Sequence, residues 1–436
     1  MEKFSAFMDK YILPYATKLG AQRHLVAVRD AFIAMIPLTI IGSFATLINN
    51  MPFKGLSNFL AENTFGQYIK AVNGDIWWGT LAIMALLLVI GVSYNLAKSY
   101  EENGLQAAMI ATAIFFFLAP QTASIIPEGA TEAVVGWGFM QVAYLGTTAL
   151  FTAIIVGLLS TELFVKLGKV KALVIKMPDA VPPAVSRSFA KLIPGMLTVL
   201  IFAIFGLVLR NITDGAFLTD LINKYVGIPL SGVTDSLGGA IAITLFIHGL
   251  WFVGLHGSNI ALPITSTLLT KLGADNAQIM ATGSSEPLHT LAGPFFDAFV
   301  HMGGAGLIIG LLVAIAIAGR SRKDMLALGT APAIFNINEP VIFGLPIVLN
   351  PIYGIPFIIA PVVTTIVSYL SIKSGLVSPV IVASMPWTTP PIISGFLATG
   401  HISGAILATV NIIISIVIYL PFVYAAERME AKKYAE

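Results

Sequence analysis

Phe335-Asn336-Ile337-Asn338-Glu339-Pro340-Val341-Ile342-Phe343-Gly344-Leu345-Pro346 is too apolar for an ordinary loop and too interrupted for an ordinary helix. It carries Glu339, the only formally charged side chain between Asp324 and Lys373. A carboxylate at the centre of a membrane helix costs about 2.5–3.5 kcal/mol on insertion scales, so a chain that keeps one there needs it for binding or chemistry. Pro340 and Pro346 flank Gly344 and break the helix, and irregular backbone at membrane depth is tolerated only where protein or a watered cavity covers it. The carboxylate therefore points at a site.

Composition supports a membrane setting. Hydrophobic residues fill 57% of 436 positions and charged residues only 11%, a balance foreign to water-soluble domains. Runs without formal charge, long enough to cross about 30 Å of hydrocarbon, recur at Ile76–Ala97, Ala133–Thr161, Leu192–Leu209, Ser236–Thr270, Ala298–Gly319, Pro340–Ile372 and Ser374–Ala426. The expected fold is an all-α polytopic membrane protein. It should have about ten transmembrane helices plus re-entrant helical hairpins and amphipathic surface helices.

Orientation follows from where Lys and Arg fall. Lys3, Lys10, Lys18, Arg23 and Arg29 precede the first span; Lys166, Lys169, Lys171, Lys176, Arg187 and Lys191 fill the longest polar connection; Arg320, Arg322 and Lys323 form a third group; Arg428, Lys432 and Lys433 close the chain. These groups are expected on the cytoplasmic side, both termini with them. The Pro120–Trp137 connection carries Glu128 and Glu132 with no basic residue and suits the outer face. The first thirty residues lack the continuous apolar core of a signal peptide. Phe4, Phe7, Met8, Tyr11, Ile12, Tyr15 and Leu19 instead recur at the spacing of a helix lying in the headgroup plane.

The chain has no cysteine, so disulfides, thiolate metal sites and a phosphate-carrying cysteine are excluded. No Gly-x-x-x-x-Gly-Lys-[Ser/Thr] element occurs, which argues against ATP hydrolysis by this chain. No cofactor, metal or nucleic-acid partner is expected.

Two parts differ in character. Residues 1–215 hold plain hydrophobic runs, whereas 216–436 place His248, His256, Glu286, His289, Asp297, His301 and Glu339 within or beside apolar segments. Intramembrane ionisable groups and broken helices mark substrate pathways, so the second part should bind substrate. Gly283-Ser284-Ser285-Glu286-Pro287-Leu288 echoes the Glu-Pro of 335–341, and a short helical hairpin with a polar tip suits both. His248 and His256 stand eight apart, on one face if their helix is unbroken. Gly254 and Gly257 bracket His256 and permit close approach of a ligand or another backbone, and Ser258 and Asn259 follow it.

Asn338-Glu339-Pro340-Val341-Ile342-Phe343-Gly344-Leu345-Pro346, followed by Asn350-Pro351, resembles the signature of the lactose/cellobiose/diacetylchitobiose family of IIC permeases of the bacterial sugar phosphotransferase system. Gly254-Leu255-His256-Gly257 is similar to that family's histidine region, and the resemblance runs the length of the chain. It implies the membrane subunit of a protein-phosphocysteine-sugar phosphotransferase in the bacterial plasma membrane. Such a subunit binds and translocates a disaccharide and presents its 6-hydroxyl to a separate cytoplasmic phospho-IIB protein, itself supplied by IIA. In this branch IIB carries phosphate on cysteine, which agrees with a chain that has none. The absence of a fused IIB after Glu436 favours the cellobiose or diacetylchitobiose type.

By the same resemblance, Glu339 orients the sugar hydroxyl and acts as base, and His256 binds sugar hydroxyls or positions Glu339. Asn338 adds a hydrogen bond, and Trp387 stacks on a pyranose face. A homodimer is also implied, with 1–215 as the interface and scaffold and 216–436 as the transport unit. From the residues alone, a proton-coupled sugar symporter using Glu339 and His256 as a relay fits equally well. An intramembrane metal hydrolase fits less well, because no His-Glu-x-x-His element is present.

Overall fold

The computed structural model describes residues 18, 21–50, 54–125, 134–175, 177–178, 189–318, 323–345 and 347–433. The amphipathic stretch expected over residues 4–19 lies almost wholly outside the described residues, as do Lys176, Arg187, Arg320, Arg322 and Pro346. In chain order the helices are α1 Arg23–Asn50, α2 Lys54–Glu62, α3 Thr64–Gly79, α4 Met84–Ser99, α5 Gly104–Phe117, α6 Leu150–Leu167, α7 Leu192–Ile212, α8 Leu218–Ile222 and α9 Ile228–Thr234. They continue with α10 Leu237–Phe252, α11 Gly257–Thr282, α12 Phe295–Phe299, α13 Ile308–Ala318, α14 Lys323–Ile334, α15 Glu339–Gly344, α16 Pro351–Lys373, α17 Ile393–Thr399 and α18 Ile402–Lys433.

The all-α membrane architecture holds, and the exact count of ten crossings is not confirmed by length and composition among the described residues. Among the described residues six helical stretches are long and apolar enough to span, seven if the pair Leu218–Thr234 and Leu237–Phe252, bent by 81°, makes one. The difference is physical. At 1.5 Å per residue, the 14 residues of α5 and the 11 of α13 reach only about 21 and 16 Å. The 26-residue α11 is long enough but carries Lys271, Asp275 and Asn276. The Pro340–Ile372 run divides into α15 and α16, and Ser374–Ala426 begins with irregular chain before α17 and α18. Nor is the Pro120–Trp137 connection all loop: β1 Thr122–Ile125 pairs antiparallel with β2 Val134–Trp137, Thr122 opposite Trp137.

The chain forms two compact units. One is built from Gln22–Leu38 and Trp78–Leu230. Its helices approach closely where side chains are small: a Cβ on Gly91 would stand 2.9 Å from the Ala31 Cβ, and one on Gly157 3.1 Å from Val92. At the end of α6, Glu162 accepts from the Tyr100 hydroxyl and lies 2.9 Å from His24 Nε2 and 3.4 Å from Lys166 Nζ. That hydrogen bond to a carboxylate raises the Tyr100 hydroxyl above its ordinary titration range.

The other unit takes in Thr39–Trp77 and the chain from Ser231 onward. Its core gathers Phe295, Phe299, Leu311, Val341, Phe357 and Tyr419, all buried. Non-helical backbone inside such a core needs polar partners. Tyr419 donates its hydroxyl to Gly306 O at 2.6 Å, and Asn411 donates Nδ2 to Phe299 O at 2.9 Å.

Candidate functional site

Three irregular segments of this second unit meet. In the first, α10 stops at Phe252 and Gly254 adopts φ +86°, a conformation free of strain only for glycine. The chain turns, and His256 becomes the N-cap of α11, its Nδ1 accepting from the Asn259 amide at 3.1 Å. The unbroken helix that would put His248 and His256 on one face is therefore absent. His248 is fully buried and donates Nδ1–H to Thr244 O at 2.7 Å, while His256 remains two-fifths exposed.

The second segment is the turn from His301 to Leu307. Gly304, at φ +90°, lets this turn lie directly on the third segment: a Cβ there would stand 2.6 Å from Asn338 Cβ and 2.7 Å from Asn336 O. The third is the tip 335–338 between α14 and α15. Asn336 is buried in a left-handed conformation (φ +60°) and ties the tip down. Its Oδ1 accepts from Gly303 N at 2.8 Å, and its Nδ2 donates to Trp387 O at 2.6 Å and Thr389 O at 2.9 Å. Asn338 N-caps α15 by position, is 4% exposed and donates Nδ2 to Ala305 O at 3.2 Å. Glu339 and Pro340 open α15, where proline loses no hydrogen bond and a carboxylate meets the positive end of the helix dipole.

Glu339 Oε1 lies 3.7 Å from His256 Nε2, both side chains about two-fifths exposed. The two residues singled out by sequence are thus brought together by tertiary packing. Because His256 Nδ1 accepts from a backbone amide, the neutral ring carries its proton on Nε2, the atom facing the carboxylate. At 3.7 Å the two do not hydrogen-bond directly. The gap leaves a position about 2.8 Å from both, where a hydroxyl can accept from His256 and donate to Glu339. Trp387, half exposed, is joined to the tip through Asn336. Asn338 sits behind the carboxylate with its amide committed to Ala305.

Sequence reasoning left two contributors unassigned. Asn336 holds three segments together, and Trp251, 3% exposed, packs its ring 4.3 Å from that of His256 and donates Nε1–H to Ser258 Oγ at 3.4 Å. Trp251 stands five residues before His256, a signal visible only once the helix break between them is known.

The Glu286 echo fails. Gly283 ends α11 in a left-handed cap, the following residues are not helical, and Glu286 lies exposed beyond the far end of that helix from His256. Asp297 and His301 face one another at 3.5 Å. Among the described residues no group of three or more histidines or carboxylates is placed to hold a metal ion.

A polar pair of this kind, presented by two broken helices in a membrane bundle, is the arrangement of a transporter site. Residues 29–361 match the family described as Phosphotransferase system, EIIC. The chain belongs to this EIIC family. It is 38% identical to the Lichenan permease IIC component of Bacillus subtilis, over 99% of this chain and 96% of that protein. It is 37% identical to the cellobiose-specific EIIC component of Geobacillus stearothermophilus, again over 99% and 96%. The crystal structure of ChbC, the IIC component of an N,N'-diacetylchitobiose-specific phosphotransferase system, superposes with a TM-score of 0.92 at 38% identity, over 98% of this chain and 99% of that one. The chain is a sugar-specific EIIC permease embedded in a membrane, and an EIIC component works with IIB and IIA proteins and a sugar substrate.

Proposed function

We propose that this EIIC permease takes up a disaccharide of the cellobiose or diacetylchitobiose type and presents its 6-hydroxyl to a cytoplasmic phospho-IIB protein. The observation that carries the reading is the 3.7 Å gap between Glu339 Oε1 and His256 Nε2. The hydroxyl oxygen would sit in that gap, accepting from His256 and donating to Glu339. As it attacks phosphorus, the O6–P bond forms and the S–P bond to the IIB cysteine breaks. The hydroxyl proton passes to the Glu339 carboxylate, and the electron pair leaves with the thiolate. Trp387 would stack on a pyranose face, and Asn338 would hold the turn bearing Glu339 rather than reach the sugar with an amide already donated to Ala305.

In this reading the permease is a homodimer with both termini cytoplasmic, 1–215 forming the scaffold and 216–436 moving the substrate. EIIC membership favours group translocation over the proton-symporter alternative. Purified protein, phospho-IIB and labelled cellobiose or diacetylchitobiose provide the test. Glu339→Gln should reduce phosphoryl transfer by about 10²- to 10⁴-fold, the range lost with a general base. Wild-type transfer by this variant removes Glu339 from the mechanism, and sugar accumulating unphosphorylated with a pH gradient in vesicles without IIB returns the symporter.

A further inference from the structure

Three helices of the second unit share the same two ends. Leu349 N, just before α16, donates to Phe252 O at the end of α10. At the other end of α16, Tyr369 donates its hydroxyl to Asp235 O, just before α10 begins, at 3.3 Å. The helix α11 leaves His256 and ends at Thr282, 26 residues or about 39 Å away. The Glu339–His256 pair therefore lies at one end of these three helices, of 16, 26 and 23 residues, and Asp235, Tyr369 and Thr282 at the other.

At that other end is a cavity of about 470 Å³, lined chiefly by Asp275, Gln278, Thr282, Ser284, Glu286 and His289. Its wall is pinned from beneath. Fully buried Asn276 donates Nδ2 to His289 O at 2.9 Å and to Val380 O at 2.8 Å, and accepts His289 N at 2.7 Å. Asp235 accepts the amides of Thr290 at 3.0 Å and Leu291 at 2.7 Å, and holds His289 Nδ1 at 3.0 Å. These bonds fix the backbone from His289 to Leu291 and the His289 ring in advance, which lowers the cost of binding at that wall.

The lining chooses among ligand classes. Asp235 is satisfied by three donors, and Asp275 pairs with Lys271 at 2.7 Å. Glu286 is left as one carboxylate beside neutral Gln278, Thr282 and Ser284, with His289 fixed by Asp235. A cation site needs several uncommitted carboxylates, and an anion site needs uncommitted cations. A mixed set of donors and acceptors with one carboxylate suits a polyhydroxylated molecule.

We infer that this cavity is a second sugar-binding site, on the face opposite Glu339, where the oligosaccharide is first captured before translocation. The inference rests on the transport reading above. Glu286 accepts sugar hydroxyls, Gln278 and Ser284 both donate and accept, and Thr282, whose hydroxyl proton goes to Gln278 O at 2.9 Å, accepts.

The test uses the full chain in nanodiscs and in oriented vesicles, with cellobiose and diacetylchitobiose as probes. Calorimetric titration of Glu339→Gln should retain a weak sugar site, which Glu286→Gln or Gln278→Ala added to it removes. In vesicles with phospho-IIB, Glu286→Gln and Gln278→Ala alone should raise the half-saturating sugar concentration about 3- to 10-fold, the loss of one hydrogen bond, at an unchanged maximal rate. Unchanged half-saturation in both variants, with a single site by titration, overturns the inference. So does a cavity that binds Ca²⁺ but no sugar. Intact phosphoryl transfer by Glu339→Gln would instead strike the transport reading, a result independent of these variants.

Discussion

His256 performs two tasks that two substitutions separate. Its Nδ1 caps α11 by accepting from Asn259 N at 3.1 Å, and its Nε2 faces Glu339 at 3.7 Å. Alanine removes both functions. Asparagine keeps a short side-chain oxygen at the N-cap, where it ranks with the best residues, but cannot reach the position of Nε2. Losing the cap costs about 1 kcal/mol, so His256→Ala should melt below His256→Asn, with His256→Asn close to wild type. On the proposed function, losing the donor would remove one hydrogen bond to the sugar, about 1.4 kcal/mol or tenfold, so both variants should transfer phosphate about tenfold more slowly than wild type. Thermal unfolding in detergent reads the first quantity, and phospho-IIB-dependent labelling of the sugar reads the second. Wild-type transfer by His256→Asn would refute a role for Nε2. Equal melting of the two variants would show that the cap contributes nothing.

Asn336→Ala removes three buried hydrogen bonds and places alanine at φ +60°. It should destabilise the protein by about 3 kcal/mol in denaturant or thermal unfolding, and a loss under 1 kcal/mol would mean the tip is held otherwise. Gly304→Ala sets a Cβ 2.6 Å from Asn338 Cβ at φ +90°, so sugar binding and uptake should both collapse even where the protein still inserts. Normal uptake would exclude tight contact between turn and tip. Trp387→Ala should weaken disaccharide binding by about 1 kcal/mol, or fivefold, measured by titration; unchanged affinity would make the indole a membrane-interface residue.

What could be read from the sequence divides along a physical line. Composition is a bulk property, so the membrane class follows from it, and a lone carboxylate beside proline in an apolar run announces Glu339 without any knowledge of its neighbours. His256 is legible for a similar reason, because flanking glycines mark a place where backbone must bend or be approached. The crossing count is less legible, since hydropathy cannot tell a spanning helix from irregular chain buried in protein: the run from Ser374 onward is apolar but begins without a helix. The same limit explains Glu286. A Glu-Pro pair means one thing at a helix start, as at Glu339, and another after a left-handed cap, as at Gly283.

The meeting of His256 and Glu339 depends on contacts far apart in sequence. Asn336 reaches Gly303, Trp387 and Thr389, and Gly304 leaves room for Asn338. Each of these residues is unremarkable alone, because asparagine and glycine serve in many turns. Only the fold makes them one device, in which buried amides hold irregular backbone while the two costly polar side chains stay about two-fifths exposed. That division of labour explains why the tip tolerates a carboxylate at all: the buried amides supply the order, and the Glu339 side chain need not be buried with them.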